Sequence, residues 1–155
     1  MFSTPSLSRN SIAAADLPEL EHLEIWLGTP DYGGDSRPED LAGILDGQRF
    51  PKLVTLALRN CEWADELAAV VAKAPILSRI KRLDLSLGTL TDAGMDALVA
   101  SPAVGKLEHV DIHHHYVSEA AVARLTALGV KVDANDRKTP DSHNGEEHRY
   151  VAVSE

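Results

Sequence analysis

Residues 80–88, IKRLDLSLG, decide how this chain folds, because their pattern occurs four times in the sequence. Each copy reads apolar-x-x-apolar-x-apolar. The other three copies are LEHLEIWLG from Leu20, LVTLALRNC from Leu53 and LEHVDIHHH from Leu107. The starting positions are separated by 33, 27 and 27 residues. This spacing predicts a structural unit that is repeated along the chain.

Each copy has the pattern of a β-strand with one buried face. Apolar and polar residues alternate in its second half, which is the period of a strand. The side chains predicted to point into the core are those of Leu23, Ile25, Leu56, Leu58, Leu83, Leu85, Val110 and Ile112.

Helical patterns follow the strands. Ser36 and Glu39 stand in capping-box register, and Thr91 and Ser118 are predicted N-caps of two later helices. Strands that alternate with helices predict a parallel sheet connected by helical crossovers. The predicted fold class is therefore α/β.

These segments resemble leucine-rich repeats, whose pattern is L-x-x-L-x-L-x-x-N/C-x-L. Residues 53–63, LVTLALRNCEW, match it, with Cys61 at the Asn/Cys position and Trp63 at the last apolar position. Residues 83–98, LDLSLGTLTDAGMDAL, are similar to the longer repeats of ribonuclease-inhibitor-like proteins. The resemblance implies a horseshoe-shaped solenoid, with a parallel sheet on the concave side and helices on the convex side.

The resemblance covers residues 17–133, as about four strand–helix repeats and a closing strand, VKVD. The whole chain also resembles the C-terminal part of uncharacterised bacterial leucine-rich-repeat proteins, in which an acidic tail follows the last repeat. The sequence departs from the pattern at Gly28, Gly88 and His115, which stand where the family often has Asn or Cys, so looser convex turns are expected.

Two terminal segments flank the predicted repeat domain. Residues 1–16 are either an irregular cap or the remnant of an earlier repeat. Residues 134–155 are rich in charged and turn-forming residues and are expected to be a disordered tail. Within this tail, RYVAV is an alternative strand or docking segment.

The composition restricts the classes of partner and the cellular compartment. The formal charge is −9, which disfavours nucleic acid and anionic membrane as partners and leaves room for a cationic protein or peptide. The single cysteine, Cys61, excludes an intrachain disulfide. No signal-peptide pattern or membrane-length apolar run occurs, so a cytoplasmic location is expected.

The polar residues of the predicted strands form the candidate binding surface. Because they alternate with the core residues, they point to the opposite face, which is the concave face in leucine-rich-repeat proteins. The loop after the first strand adds Tyr32 beside Gly33 and Gly34, which lack a phosphate-binding frame. The predicted binding residues are Glu24, Trp26, Tyr32, Arg59, Asp84, His109, Asp111 and His113.

Three consecutive histidines, 113–115, raise the question of a metal site. Neighbouring strand residues face opposite ways, so all three cannot bind one ion. The constellation His109, Asp111 and His113 lies on one face, but an i to i+4 span on a strand is about 13 Å. No metal, other cofactor or catalytic residue is therefore predicted.

The sequence predicts a non-catalytic module that binds a protein or peptide through the concave face. The mechanism is a large surface held rigid by the parallel sheet, with Trp26 and Tyr32 as anchors and acidic residues as charge complements. The alternatives are a metal-assisted hydrolase at His109, Asp111 and His113, and a structural segment of a longer repeat protein.

Overall fold

A computed structural model describes residues 2–3, 18–28, 41–47 and 49–152. Six strands form one parallel sheet in which each strand lies beside the next one in the chain. These strands are β1 (Phe2–Ser3), β2 (His22–Gly28), β3 (Thr55–Cys61), β4 (Arg82–Asp84), β5 (His109–Asp111) and β6 (Lys131–Asp133).

Helices connect the successive parallel strands from β2 to β6. The α-helices are α1 (Ala42–Leu45), α2 (Ala64–Ala72), α3 (Asp92–Val99) and α4 (Glu119–Thr126). Short 3₁₀ helices at Pro75–Ser78 and Val104–Lys106 lead back to the sheet. The protein is thus an α/β protein with a parallel sheet, as the alternation of patterns predicts.

The helix caps can be compared with their predictions. The Thr91 hydroxyl accepts a hydrogen bond from the Ala93 amide at 3.3 Å, and the Ser118 hydroxyl accepts one from Ala121 at 3.2 Å. Both predicted N-caps are confirmed. The predicted capping box of Ser36 and Glu39 lies outside the described residues, as does most of the predicted N-terminal segment.

The core lies between the sheet and the helices. Leu23, Leu56, Leu83 and Val110 occupy equivalent positions on neighbouring strands and are completely buried. The second predicted row is Ile25, Leu58, Leu85 and Ile112, and it is also buried. All eight residues predicted to point inward do so, because parallel in-register pairing keeps the same face of every strand against the helices.

Neighbouring helices are joined near their N-termini by aspartates. Asp65 Oδ1 accepts hydrogen bonds from the amides of Thr91 at 2.7 Å and Gly94 at 3.1 Å, and Asp65 Oδ2 accepts one from the Thr91 hydroxyl at 2.5 Å. Asp92 likewise accepts the Ser118 amide at 2.7 Å. Each aspartate thus satisfies backbone donors at the start of the next helix, which that helix cannot satisfy itself.

The C-terminal segment contains regular structure, so the disorder predicted for residues 134–155 is wrong for residues 134–152. Strands β7 (Asp141–His143) and β8 (Glu146–His148) form an antiparallel hairpin. Its turn residues Asn144 and Gly145 have φ values of 54° and 82°. An Asn-Gly pair suits such a turn, because both residues tolerate positive φ.

The segment after the hairpin returns to the loops at the ends of β4 and β5. The Ala152 amide donates to the Leu87 carbonyl at 2.9 Å, and the Tyr150 amide donates to the Tyr116 hydroxyl at 3.0 Å. Val151 is 95% buried, with 5% of its surface exposed. The alternative prediction for RYVAV, a docking segment, therefore fits residues 149–152 better than the prediction of disorder does.

Among the helices that the structure describes, none combines the length and apolar character needed to cross a bilayer.

Candidate binding face

The face of the sheet opposite the core carries the candidate binding residues. The register aligns Glu24, Ala57, Asp84, Asp111 and Asp133 in one row across β2 to β6. Trp26 and Arg59 are paired two residues further along their strands. We call this surface the polar sheet face and define it by Glu24, Trp26, Arg59, Asp84, Ser86, Asp111, His113 and Asp133.

In one half of the polar sheet face, the charged and polar side chains bind one another. Arg59 Nε donates to Asp84 Oδ2 at 2.7 Å, and Arg59 Nη1 lies 3.7 Å from Glu24 Oε1. The Trp26 indole N–H donates to Glu24 Oε2 at 2.9 Å. Both carboxylates are buried, each with 8% of the residue exposed. Two acidic groups therefore share one arginine and the indole.

This network holds Arg59 in its charged form. Burial opposes the charge, but the hydrogen bond and negative charge of Asp84, together with Glu24 and Asp111, raise the pKa of Arg59 above its usual value. Trp26 is half-buried, and its polar edge is already bonded. Trp26 and Arg59 are thus positioned on the predicted surface, but their polar groups are used within the protein.

The other half of the polar sheet face contains Asp111, His113 and Asp133. His113 Nδ1 lies 2.7 Å from Asp111 Oδ1, and one candidate ligand atom from each of the three residues lies within 4.8 Å of those of the others. Within the described ranges, no lysine or arginine nitrogen lies within 4.0 Å of the Asp111 or Asp133 carboxylate. This half therefore carries negative charge that no neighbouring side chain balances by an ion pair with lysine or arginine.

The same local hydrogen bond fixes three of the aspartates. Oδ1 of Asp84, Asp111 and Asp133 accepts the backbone amide two residues later, at 2.9, 3.0 and 3.2 Å. Oδ2 of Asp84 is bound by Arg59. In the described part of the chain, Oδ2 of Asp111 and Oδ2 of Asp133 have no hydrogen-bond donor. They are oriented acceptors that remain available.

His109 does not belong to this group. It lies on the same face as Asp111 and pairs with Arg82 and Lys131 in the preceding row. The predicted constellation combined Asp111 and His113 with His109. In the structure, Asp133 of the next strand lies near Asp111 and His113 instead. His109 is excluded because it lies four residues from His113, about 13 Å along an extended strand, whereas Asp133 lies beside Asp111 on the neighbouring strand.

The three consecutive histidines face three different surroundings. His113 contacts Asp111 on the polar sheet face, and His114 Nε2 lies 3.0 Å from the Tyr150 carbonyl of the C-terminal segment. His115 is 99% buried. Its Nδ1 accepts the Val117 amide at 3.0 Å, and its Nε2 lies 2.9 Å from the Ala134 carbonyl. His115 therefore satisfies backbone groups of the turn and of the neighbouring segment.

His115 makes the stability of the protein depend on pH. Burial, with the positive charges of Arg137 and His114, lowers the pKa of His115, although its bond to Ala134 opposes this. The unfolded chain then binds more protons than the folded protein once the pH falls below about 6.5, the usual histidine pKa. Between pH 7.5 and 5.5 we expect the native protein to lose about 1 kcal/mol more stability than a His115→Asn variant.

Urea denaturation of both proteins at the two pH values measures this difference. The variant retains the other histidines, so their contributions cancel in the comparison. Parallel losses of unfolding free energy in the two proteins would contradict the assignment of the pH dependence to His115.

Three predicted features remain to be placed. Tyr32, with Gly33 and Gly34, lies outside the described residues. Cys61 occupies its predicted interior position with 1% exposed, and burial raises the pKa of its thiol, which makes it unreactive. Trp63 is half-buried against the core.

The sequence did not indicate a depression beside Trp63. It has a volume of about 350 Å³ and opens between the start of α2 and the C-terminal segment. It is lined by Glu62, Trp63, Ala64, Asp65, Glu66, Thr89, Thr91 and Arg149. Since Arg149 belongs to the segment predicted to be disordered, this depression could not be inferred from the repeat pattern.

Comparisons with known proteins support the fold and name no activity. No protein-family model matches the sequence, and no curated protein matches it significantly. A crystal structure of a Bacteroides fragilis protein, solved as a structural-genomics target, is similar, with a TM-score of 0.79 and 27% identity. The similarity covers 84% of this chain and 38% of that chain. This chain therefore corresponds to less than half the length of that protein.

Proposed function

We propose that this chain is a leucine-rich-repeat solenoid whose polar sheet face is a non-catalytic binding surface for a basic protein or peptide. Three features support the repeat assignment: the sequential order of the parallel strands, their spacing in the sequence and the helix that follows each of β2 to β5. A cytoplasmic location agrees with the acidic composition and is part of the same proposal.

The charge distribution on the polar sheet face carries the functional proposal. Glu24 and Asp84 are balanced by Arg59, whereas the Oδ2 atoms of Asp111 and Asp133 point to no donor within the described ranges. A lysine or arginine of a partner would supply the missing donors. The rigid strands hold the two carboxylates in register, so little conformational entropy is lost when a partner binds.

A binding experiment with defined peptides tests this proposal. Lys- and Arg-containing peptides are expected to bind, and binding is expected to weaken with salt, whereas peptides with Glu in place of the basic residues are not expected to bind. Replacing Asp111 and Asp133 together by Asn is expected to weaken binding about tenfold, since each exposed charge pair contributes up to about 1 kcal/mol.

The matched control removes the same amount of charge elsewhere. Glu21→Gln with Asp141→Asn changes two exposed acidic residues that lie off the polar sheet face. The control protein is expected to bind like the native one. If the Asp111/Asp133 variant binds as tightly as the control, the polar sheet face is not the binding surface.

The hydrolase alternative has no further observation in its favour, because His109 is separate from the Asp111, His113 and Asp133 group. The alternative of a structural segment within a longer repeat protein remains a hypothesis.

A further inference from the structure

We propose that Asp111, His113 and Asp133 form a binding site for a divalent transition-metal ion such as Zn²⁺. This inference goes beyond the proposed peptide-binding function and does not depend on it. Asp111 and Asp133 are the last residues of β5 and β6, which parallel pairing places side by side, and His113 lies two residues beyond Asp111.

The donor set has the chemistry that such an ion prefers. One imidazole and two carboxylates offer ligand atoms within 4.8 Å of one another. Zinc binds imidazole nitrogen and carboxylate oxygen, and three protein ligands with an open position are a common arrangement. An imidazole favours a transition metal over Mg²⁺, which prefers oxygen ligands and retains its water.

The two carboxylates are also held in place before an ion binds. Their Oδ1 atoms accept the backbone amides of His113 and Asn135, at 3.0 and 3.2 Å. These bonds fix the carboxylate orientation and leave both Oδ2 atoms without a donor in the described part of the chain. At Asp84 the identical backbone bond is accompanied by Arg59, which occupies the second oxygen. Among the described residues, no arginine or lysine forms an equivalent ion pair with Asp111 or Asp133.

A buried serine next to this group provides a separate indication. Ser86 is completely buried, and its Oγ has no hydrogen-bond partner in the described structure. The backbone hydrogen bonds between β4 and β5 continue past Asp84. The Leu85 amide donates to the Asp111 carbonyl at 2.8 Å, and the Leu87 amide donates to the His113 carbonyl at 2.9 Å. These bonds place the backbone of Ser86, two residues beyond the end of β4, beside that of His113. A buried hydroxyl without a partner is costly unless a ligand or an ordered water completes it.

Titration of the untagged full chain with ZnCl₂ alone, followed by calorimetry, tests the site. One equivalent of Zn²⁺ is expected to bind, and His113→Ala and Asp133→Asn are each expected to weaken binding at least about tenfold, the loss seen when even an outer partner of a metal ligand is removed. His109→Ala is the matched control, since His109 lies on the same strand and face but outside the group. It is expected to bind Zn²⁺ like the native protein.

Two further readouts distinguish this site from adventitious binding. The side-chain nitrogen resonances of His113 are expected to shift on Zn²⁺ addition, and those of His109 are not. MgCl₂ is expected to give no comparable binding heat. The proposal is overturned if native protein binds no Zn²⁺, if His113→Ala binds it unchanged, or if Mg²⁺ binds as tightly as Zn²⁺.

The outcomes separate this inference from the proposed function. Zn²⁺ binding and peptide binding are measured separately on the native protein, each in the absence of the other ligand. Failure of Zn²⁺ binding with intact peptide binding removes only the metal site. Failure of peptide binding with intact Zn²⁺ binding removes only the proposed partner class.

Discussion

Replacing Asp65 by Ala is expected to lower the free energy of unfolding by about 3 kcal/mol, because a charged acceptor of several hydrogen bonds is lost. Asp65 accepts the amides of Thr91 and Gly94 and the hydroxyl of Thr91. These donors lie at the start of α3, where the helix has no internal acceptors for its amides. Chemical denaturation measures the loss.

The matched control is Asp92→Ala, which makes the same chemical change one repeat later. Asp92 accepts one backbone amide, that of Ser118, and also interacts with the Ser118 side chain, so it satisfies fewer backbone donors than Asp65 and the expected loss is about 1 kcal/mol, as for a typical helix cap. Equal losses in the two variants would show that the extra bonds of Asp65 contribute little, contrary to this explanation.

Replacing Gly94 by Ala is expected to destabilise the protein by about 2 kcal/mol, in spite of the higher helix propensity of alanine. A Cβ atom at this position would lie 2.6 Å from Asp65 Oδ1, 3.0 Å from Asp65 Cα and 2.5 Å from Leu90 Cδ1. The Cα of Asp65 is backbone, so α2 and α3 must separate to accommodate the methyl group. Thermal or chemical denaturation tests this expectation.

Gly105 provides the control for the glycine substitution. A Cβ there would meet only Leu128 Cβ, at 3.9 Å, which is an ordinary contact. Gly105→Ala is therefore expected to change stability by less than about 0.5 kcal/mol. If Gly94→Ala is as stable as Gly105→Ala, the close approach of the two helices is not a requirement of the fold.

The strands and their core residues could be predicted because they follow from local alternation. A pattern such as Leu83 and Leu85 beside Asp84 fixes which face is buried, and the repeat spacing fixes which strands are neighbours. Every inward residue is accordingly buried where it was expected.

The charged group on β5 and β6 could be predicted only in part. Asp111 and His113 are evident from one strand, but Asp133 joins them through the register between two strands. VKVD was expected to be a closing strand, and aligning Val132 with Val110 would have placed Asp133 beside Asp111.

The disorder predicted for the C-terminal segment rests on its content of charged and turn-forming residues, although the same segment contains a local hairpin signal. The Asn144-Gly145 pair is a strong hairpin signal, but the strands beside it are short and polar and lack an apolar face. Docking of Tyr150 depends on His114 and Tyr116, which are distant in sequence. Propensity along the chain does not reveal such contacts.

A titration of ¹⁵N-labelled protein with a basic peptide tests the central claim most directly. We expect the amide shifts to cluster at residues 111–113 and 131–135, next to the carboxylates of Asp111 and Asp133, and to disappear at high salt. Shifts that map instead to α2, α3 and α4, with residues 111–113 and 131–135 unchanged, would contradict it.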